Sequence, residues 1–132
     1  MIVVDTSALM AILLGEPEAA ACRAVVAREL DIRIAAPTLT EALIVAAGRD
    51  LHGEMARLID DLALTVEPLT VELSYAAVRA YLRWGKRHHP AALNICDVFA
   101  YALATAHNCP LLFVGDDFAR TDIVSALLRG VG

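Results

Sequence analysis

The chain has 132 residues, 58% of them hydrophobic, and a formal charge of −5. That is enough for one domain with a real core, and too acidic for a protein that holds nucleic acid by overall attraction. No apolar run approaches the roughly 20 residues that cross a bilayer, and Met1 leads straight into strand-like residues without a secretory signal pattern. The expectation is a single cytoplasmic domain over 1–132 with no membrane attachment. Cys22, Cys96 and Cys109 lack CxxC spacing and are expected as buried free thiols.

Ile2-Val3-Val4 fits a short strand buried on both faces. Asp5 ends it, and Thr6 to Leu14 reads as a helix closed by Gly15. A second helix starts at Glu16-Pro17-Glu18, with Pro and acids at its positive end, and fills Ala19 to Glu29. Ile32 to Ala36 is a second strand stopped by Pro37. Thr38 to Arg49 and Leu51 to Leu64 have helical apolar spacing. Thr65 to Leu69 is a third strand, and Pro68 points to an edge or terminal place for it.

A long helix from Thr70 to about Lys86 follows, then a polar loop at Lys86-Arg87-His88-His89-Pro90. Asn94 to His107 reads as a strongly apolar helix, Leu111 to Val114 as a buried strand, and Gly115-Asp116-Asp117 as a turn. Ile123 to Leu128 reads as a last short helix. Strands that alternate with helices predict an α/β fold: a short, mostly parallel central sheet of four to five strands with helices on both faces.

Every prominent acid has a local role available to it. Asp5 can cap the helix after it. Glu41 stands three residues after Thr38, the spacing of a capping box. Asp97 stands three after Asn94, where the helix dipole favours a negative charge. Asp116 and Asp117 follow a glycine in a turn.

Topology adds a second role, because strand-to-helix turns of a parallel sheet all lie at the carboxyl edge, where ligands of such folds bind. Asp5, Glu41 and the Asp116-Asp117 pair are brought to that edge. Asp97 joins them if its helix begins there; the segment around it is too apolar for a surface helix, which makes Asp97 a lone charge in a buried element. Two unit charges 4 Å apart repel by about 4 kcal/mol at an effective dielectric near 20. A hard divalent cation relieves that repulsion, and oxygen-only donors favour Mg2+ or Mn2+. Such an ion activates water and stabilises charge on a phosphodiester.

Other polar residues read more plainly. Arg79, Arg83 and Arg87 follow i, i+4, i+8 spacing with Lys86 beside them, giving either a solvated basic helix face or a contact for substrate phosphates. His88 and His89 are loop residues, and His52 and His107 surface or helix-end residues. Tyr75, Tyr81 and Trp84 fall near one helical stripe, which fits core or dimer packing.

Four segments, Val4-Asp5-Thr6-Ser7-Ala8-Leu9, Thr38-Leu39-Thr40-Glu41-Ala42, Leu93 to Ala104 and Leu112-Phe113-Val114-Gly115-Asp116-Asp117-Phe118, together resemble PIN-domain ribonucleases, most closely VapC-type toxins of bacterial toxin–antitoxin pairs. The likeness covers almost the whole chain. It implies a PIN-like fold and an Mg2+- or Mn2+-dependent endoribonuclease with water as nucleophile and a 5′-phosphate product. It further implies a homodimer neutralised by a small VapB-type antitoxin. By motif position Asp5, Glu41 and Asp97 correspond to the first three family acids and Asp116 to the fourth, with Asp117 its rival; Thr6 or Ser7 would orient Asp5 or the attacking water.

Two rival enzyme classes fit poorly. A phosphoacceptor domain needs a lysine after the last strand, whereas the only lysine is Lys86; a haloacid-dehalogenase-like phosphatase needs an acid two residues after Asp5, where Ser7 stands. The remaining alternative is a non-catalytic PIN-like interaction protein that keeps the acids as caps.

Overall fold

The computed structural model describes residues 1–129; the last three positions of the expected domain lie outside the described residues. Four strands, β1 (Ile2–Val4), β2 (Ile32–Ala35), β3 (Thr65–Glu67) and β4 (Leu111–Leu112), form one sheet in the order β3-β2-β1-β4. Every pair is parallel, with Ile2 opposite Ile32, Val3 opposite Leu111 and Arg33 opposite Thr65. As Pro68 predicts, β3 is an edge strand with Thr65 and Val66 exposed.

Side chains alternate across the pleat, so Val3 and Ala35 enter one core and Ile2, Val4, Ile32 and Ile34 the other. The first core is covered by α5 (Val71–Trp84) and α6 (Asp97–Ala106). The second is covered by α1 (Thr6–Leu14), α2 (Ala19–Arg28), α3 (Ala36–Ala47), α4 (His52–Leu62) and α7 (Ala126–Arg129). The helices lie on both faces, as alternation predicts.

Several boundaries differ from expectation, each for a local reason. The helix expected from Asn94 starts three residues later, because Asn94 turns its side chain onto the backbone N–H groups of Cys96 and Asp97 and acts as a cap. The last strand has only two residues, since Val114 spends its N–H on Ser7 Oγ instead of on a neighbouring strand. Ile123 to Ser125 are not helical; Leu111 N–H donates to Val124 O, and Ser125 bridges Leu111 in parallel.

The expected basic stripe is also cut short. α5 stops at Trp84, and Gly85 then passes so close to Tyr81 O that a Cβ would sit 2.4 Å from it. The chain then turns away, with Arg87 at φ 79, so Arg87 does not continue the line of Arg79 and Arg83.

The order β3-β2-β1-β4 also fixes where a site can form. The chain moves outward from β1 to β2 on one side and returns to β4 on the other, and a parallel sheet with this order is expected to have its ligand crevice at the carboxyl ends of β1 and β4.

Candidate active site

Asp5 stands at that crevice. It caps α1, its Oδ2 accepting the Ser7 N–H at 3.0 Å and the Ser7 hydroxyl at 2.7 Å. Ser7 Oγ in turn accepts the Val114 N–H at 3.0 Å, which ties the end of β4 to the start of α1. The capping role is real, but it uses only one oxygen: Oδ1 is buried without any partner. An unpaired carboxylate oxygen costs free energy in the apolar interior.

Glu41 arrives differently. α3 begins at Ala36 with Pro37 in its first turn, two residues earlier than expected, so Thr38 and Glu41 are both inside the helix and form no capping box. Glu41 Oε1 instead accepts the Thr6 hydroxyl at 2.6 Å, and that hydroxyl also lies 3.4 Å from Thr38 O. The two hydroxyls after β1 thus divide the work: Ser7 orients Asp5 and Thr6 orients Glu41. Thr38 Oγ1 is the second buried side-chain polar atom without a partner among the described residues.

Asp97 opens α6, which points its first turn at the same edge. Its Oδ2 accepts the Asn94 N–H at 3.0 Å while Asn94 Oδ1 accepts the Asp97 N–H at 2.9 Å, a reciprocal cap. The side chain is nonetheless buried, like that of Asp5.

The electrostatics show which acids share a space. Burial pushes the Asp5 carboxyl up to about 6; the Ser7 hydrogen bonds pull it back, and the charge of Glu41 raises it again. Burial likewise lifts Asp97 to about 7, the Asn94 amide opposes this, and the charges of Asp5, Asp117 and Glu41 add to it. Of the two acids after Gly115, Asp117 acts on Asp97. Both Asp116 and Asp117 are exposed, on a turn that leaves β4 through Gly115 at φ 96, a conformation open to glycine.

Cys96 is the member of this group that the sequence reading did not single out. Its thiol is only half-buried and is pushed up to about 11 by burial, by Glu41, and by the charges of Asp97 and Asp5. Cys109 is half-buried too, so of the three thiols only Cys22 is buried as expected. The signal for Cys96 was its place in the helix turn that presents Asp97.

The donor set fits a hard divalent cation: one orphaned, buried carboxylate oxygen, further carboxylates acting on one another by charge, and a neighbouring thiol held neutral. Among the described residues, no three His, Cys, Asp or Glu side chains already converge as ligands of one point.

Comparison with known proteins gives the family and the fold. The family model described as PIN domain matches residues 2–124. The chain belongs to the PIN domain family. Within it the relatives are VapC proteins. Ribonuclease VapC36 of Mycobacterium tuberculosis is 42% identical over 127 residues, 92% of this chain and 90% of that protein. Ribonuclease VapC42 of the same species is 38% identical over 125 residues, 92% and 95% of the two chains. Among solved structures, the M. tuberculosis toxin VapC20, described as cleaving the sarcin-ricin loop, shares the PIN fold with a TM-score of 0.74 at 19% identity, covering 94% of this chain and 97% of its own. A toxin–antitoxin complex from Klebsiella pneumoniae superposes with a TM-score of 0.71 at 19% identity, covering 96% and 98%.

Of the basic residues of this VapC-family chain, Arg79 and Arg83 line one outer cleft between α5 and α6, and Lys86 lies apart from them. Arg83 lies over the Trp84 ring at 4.5 Å and pairs with Asp122 at 3.5 Å. Lys86 lines a separate, largely apolar groove of about 490 Å³ beside Asn94 and Ile95. His89 packs edge-on against Trp84, and His107 pairs with Glu67 at the end of α6. Trp84 is core, as expected; Tyr75 is not, being 64% exposed. No described helix is long and apolar enough to cross a membrane.

Proposed function

We propose that this chain is the endoribonuclease toxin of a toxin–antitoxin pair, a single PIN-like domain over 1–132 that hydrolyses RNA phosphodiester bonds with Mg2+ or Mn2+ held by Asp5, Glu41, Asp97 and the acid after Gly115. The single observation that carries this reading is Asp5 Oδ1, buried and unpaired amid other carboxylates. Of the last two acids, Asp117 is the better fourth ligand, because its charge reaches Asp97; Asp116 then belongs to the turn, its carbonyl accepting the Ala119 N–H.

When bound, the cation supplies charge for the scissile phosphate and acidifies the attacking water. The chain's own residues do the rest. Ser7 holds Asp5 Oδ2 so that Oδ1 points away from the cap and is left for the ion. Thr6 holds Glu41 Oε1, leaving Glu41 Oε2 to orient water or take its proton. The Asn94 amide keeps Asp97 Oδ2 in place, so Asp97 would hold a bound ion from a fixed position. Lys86 and Arg87, in the loop just before Asn94, are the cations best placed to hold flanking phosphates of RNA; Arg79 is farther along α5, and Arg83 is engaged by Asp122.

We further infer a cytoplasmic homodimer neutralised by a VapB-type antitoxin. Support for a macromolecular contact comes from α5, where Val71, Tyr75, Val78 and Leu82 form an exposed apolar stripe continued by Leu69 and Ile95.

The test is incubation of purified protein, stripped of copurifying antitoxin, with mixed RNAs and Mg2+, with and without chelator. Cleavage that stops with chelator supports the proposal. Absence of chelator-sensitive cleavage would favour the non-catalytic interaction protein.

A further inference from the structure

We propose that Tyr101 and Asp122 are positioning residues that set Asp117 against Asp97 across the pocket. This deepens the reading of the acid pocket given above and rests on it. Tyr101 lies four residues after Asp97, one turn along the same face of α6. A single rigid helix therefore presents Asp97 to the pocket and the Tyr101 hydroxyl to the loop that carries Asp117.

The hydroxyl is used twice. It accepts the Trp84 indole N–H at 2.9 Å and donates to Asp122 Oδ1 at 2.5 Å. Arg83, stacked over Trp84, reaches Asp122 Oδ2 at 3.5 Å. Asp122 is thereby gripped from α5 and α6 together, although its own side chain is half exposed.

From Asp122 the constraint runs back along the loop in one tight turn. The Thr121 N–H and hydroxyl both donate to Phe118 O, at 3.0 and 2.8 Å, and the Ile123 N–H donates to Thr121 Oγ1. Phe118 is buried against Phe113, with ring centroids 5.2 Å apart, and Asp117 is the next residue. A buried ring fixes the depth of the loop but leaves it free to swing about that anchor, and Gly115 at φ 96 places few limits on the other side. The Tyr101–Asp122 hydrogen bond is the second point that fixes its heading.

The experiment measures Mn2+ affinity by electron paramagnetic resonance on RNA-free protein, beside the melting temperature in chelator. The variants are Tyr101→Phe, Asp122→Asn, Asp117→Asn and the two doubles with Asp117→Asn. Tyr101→Phe and Asp122→Asn should each weaken Mn2+ binding about three- to tenfold, in the lower range of what supporting hydrogen bonds contribute. Neither should weaken it further once Asp117 is Asn, because the effect travels through that carboxylate. Unchanged Mn2+ affinity in both single variants, or losses that add in full to that of Asp117→Asn, would overturn the proposal while leaving the pocket intact. Wild-type protein that took up Mn2+ no better than Asp5→Asn would overturn the reading of the pocket itself, and this proposal with it.

Discussion

Two groups of acids in this chain meet opposite fates. Asp31 and Glu67 are tied to Arg33, at 2.9 and 3.3 Å, and Glu67 also pairs with His107. The Arg33 guanidinium holds Asp31 below its usual range. Among the described residues no cationic side chain pairs with Asp5 or Asp97, which have only hydroxyl and amide donors, and both are pushed well above the usual carboxylate range. The first group neutralises itself within the fold and joins β2, β3 and the end of α6. The second is buried yet lacks a countercharge from the chain, which is a costly state for structure alone and a sensible one for a site that receives its cation from solution.

Replacing the second group should therefore remove activity and spare the fold. Asp97→Asn, and independently Asp5→Asn, should lower chelator-sensitive RNA cleavage by roughly a thousandfold. In chelator, both variants should melt at or above the wild-type temperature, since asparagine keeps the capping bonds and removes the repulsion. Variants that melted several degrees lower in chelator would place these acids with Arg33 and its partners, as structural groups.

Supplying the missing countercharge is the next largest effect. A ligand that binds only the native state at a hundred times its dissociation constant adds about 2.7 kcal/mol, or several degrees of melting temperature for a chain of this size. Mn2+ should produce that rise in the wild type and fail to do so in Asp5→Asn, as read by differential scanning fluorimetry. An equal rise in both would detach the ion from the pocket.

The contrast also has a pH signature. In metal-free protein, Asp5 and Asp97 titrate at about 6 and about 7, against 3.8 for the ordinary carboxyl. Between pH 4 and 7 the folded chain thus keeps protons that the unfolded chain has released, and stability from these two groups falls as pH rises. Their contribution is complete below about pH 4 and lost above about pH 7. Asp31 has the opposite sign, stabilising above its unfolded value and losing that contribution as pH falls. The melting temperature of Asp5→Asn/Asp97→Asn relative to wild type should accordingly grow by a few degrees from pH 5 to pH 8 in chelator. A constant gap would mean that the two carboxyls are ionised throughout.

Much of this was legible before any coordinates. The apolar triplet Ile2–Val4, the turn residues after it and Pro68 beside β3 report local conformation and burial, and they place Asp5 and the edge strand directly. Parallel topology then brings Glu41 and the acids after Gly115 to one edge without knowledge of a single contact. What stayed hidden depends on distance in space. Thr38 and Glu41 have capping-box spacing, and only the start of α3 at Ala36 shows that Glu41 bonds to Thr6 instead. The charges of Glu41 and Asp97 felt at Cys96, the charge of Asp117 felt at Asp97, and the pairing of Arg83 with Asp122 all depend on elements coming together in space. One-dimensional spacing does not encode those meetings.

The smallest expected effect tests the other half of the contrast. Arg33→Ala removes the one cation shared by Asp31 and Glu67. Because these groups are partly in water, and His107 remains beside Glu67, the loss should be small, at most a few degrees of melting temperature. The cost should fall on the β2–β3 edge, where Arg33 faces Thr65, and leave the crevice between β1 and β4 untouched. Cleavage per folded molecule and the Mn2+ dissociation constant should therefore match wild type, measured well below the melting transition. A variant that kept its stability but bound Mn2+ weakly would show that the charge of Arg33 is felt across the sheet at the acid pocket, and the separation into self-neutralised and open acids would fail.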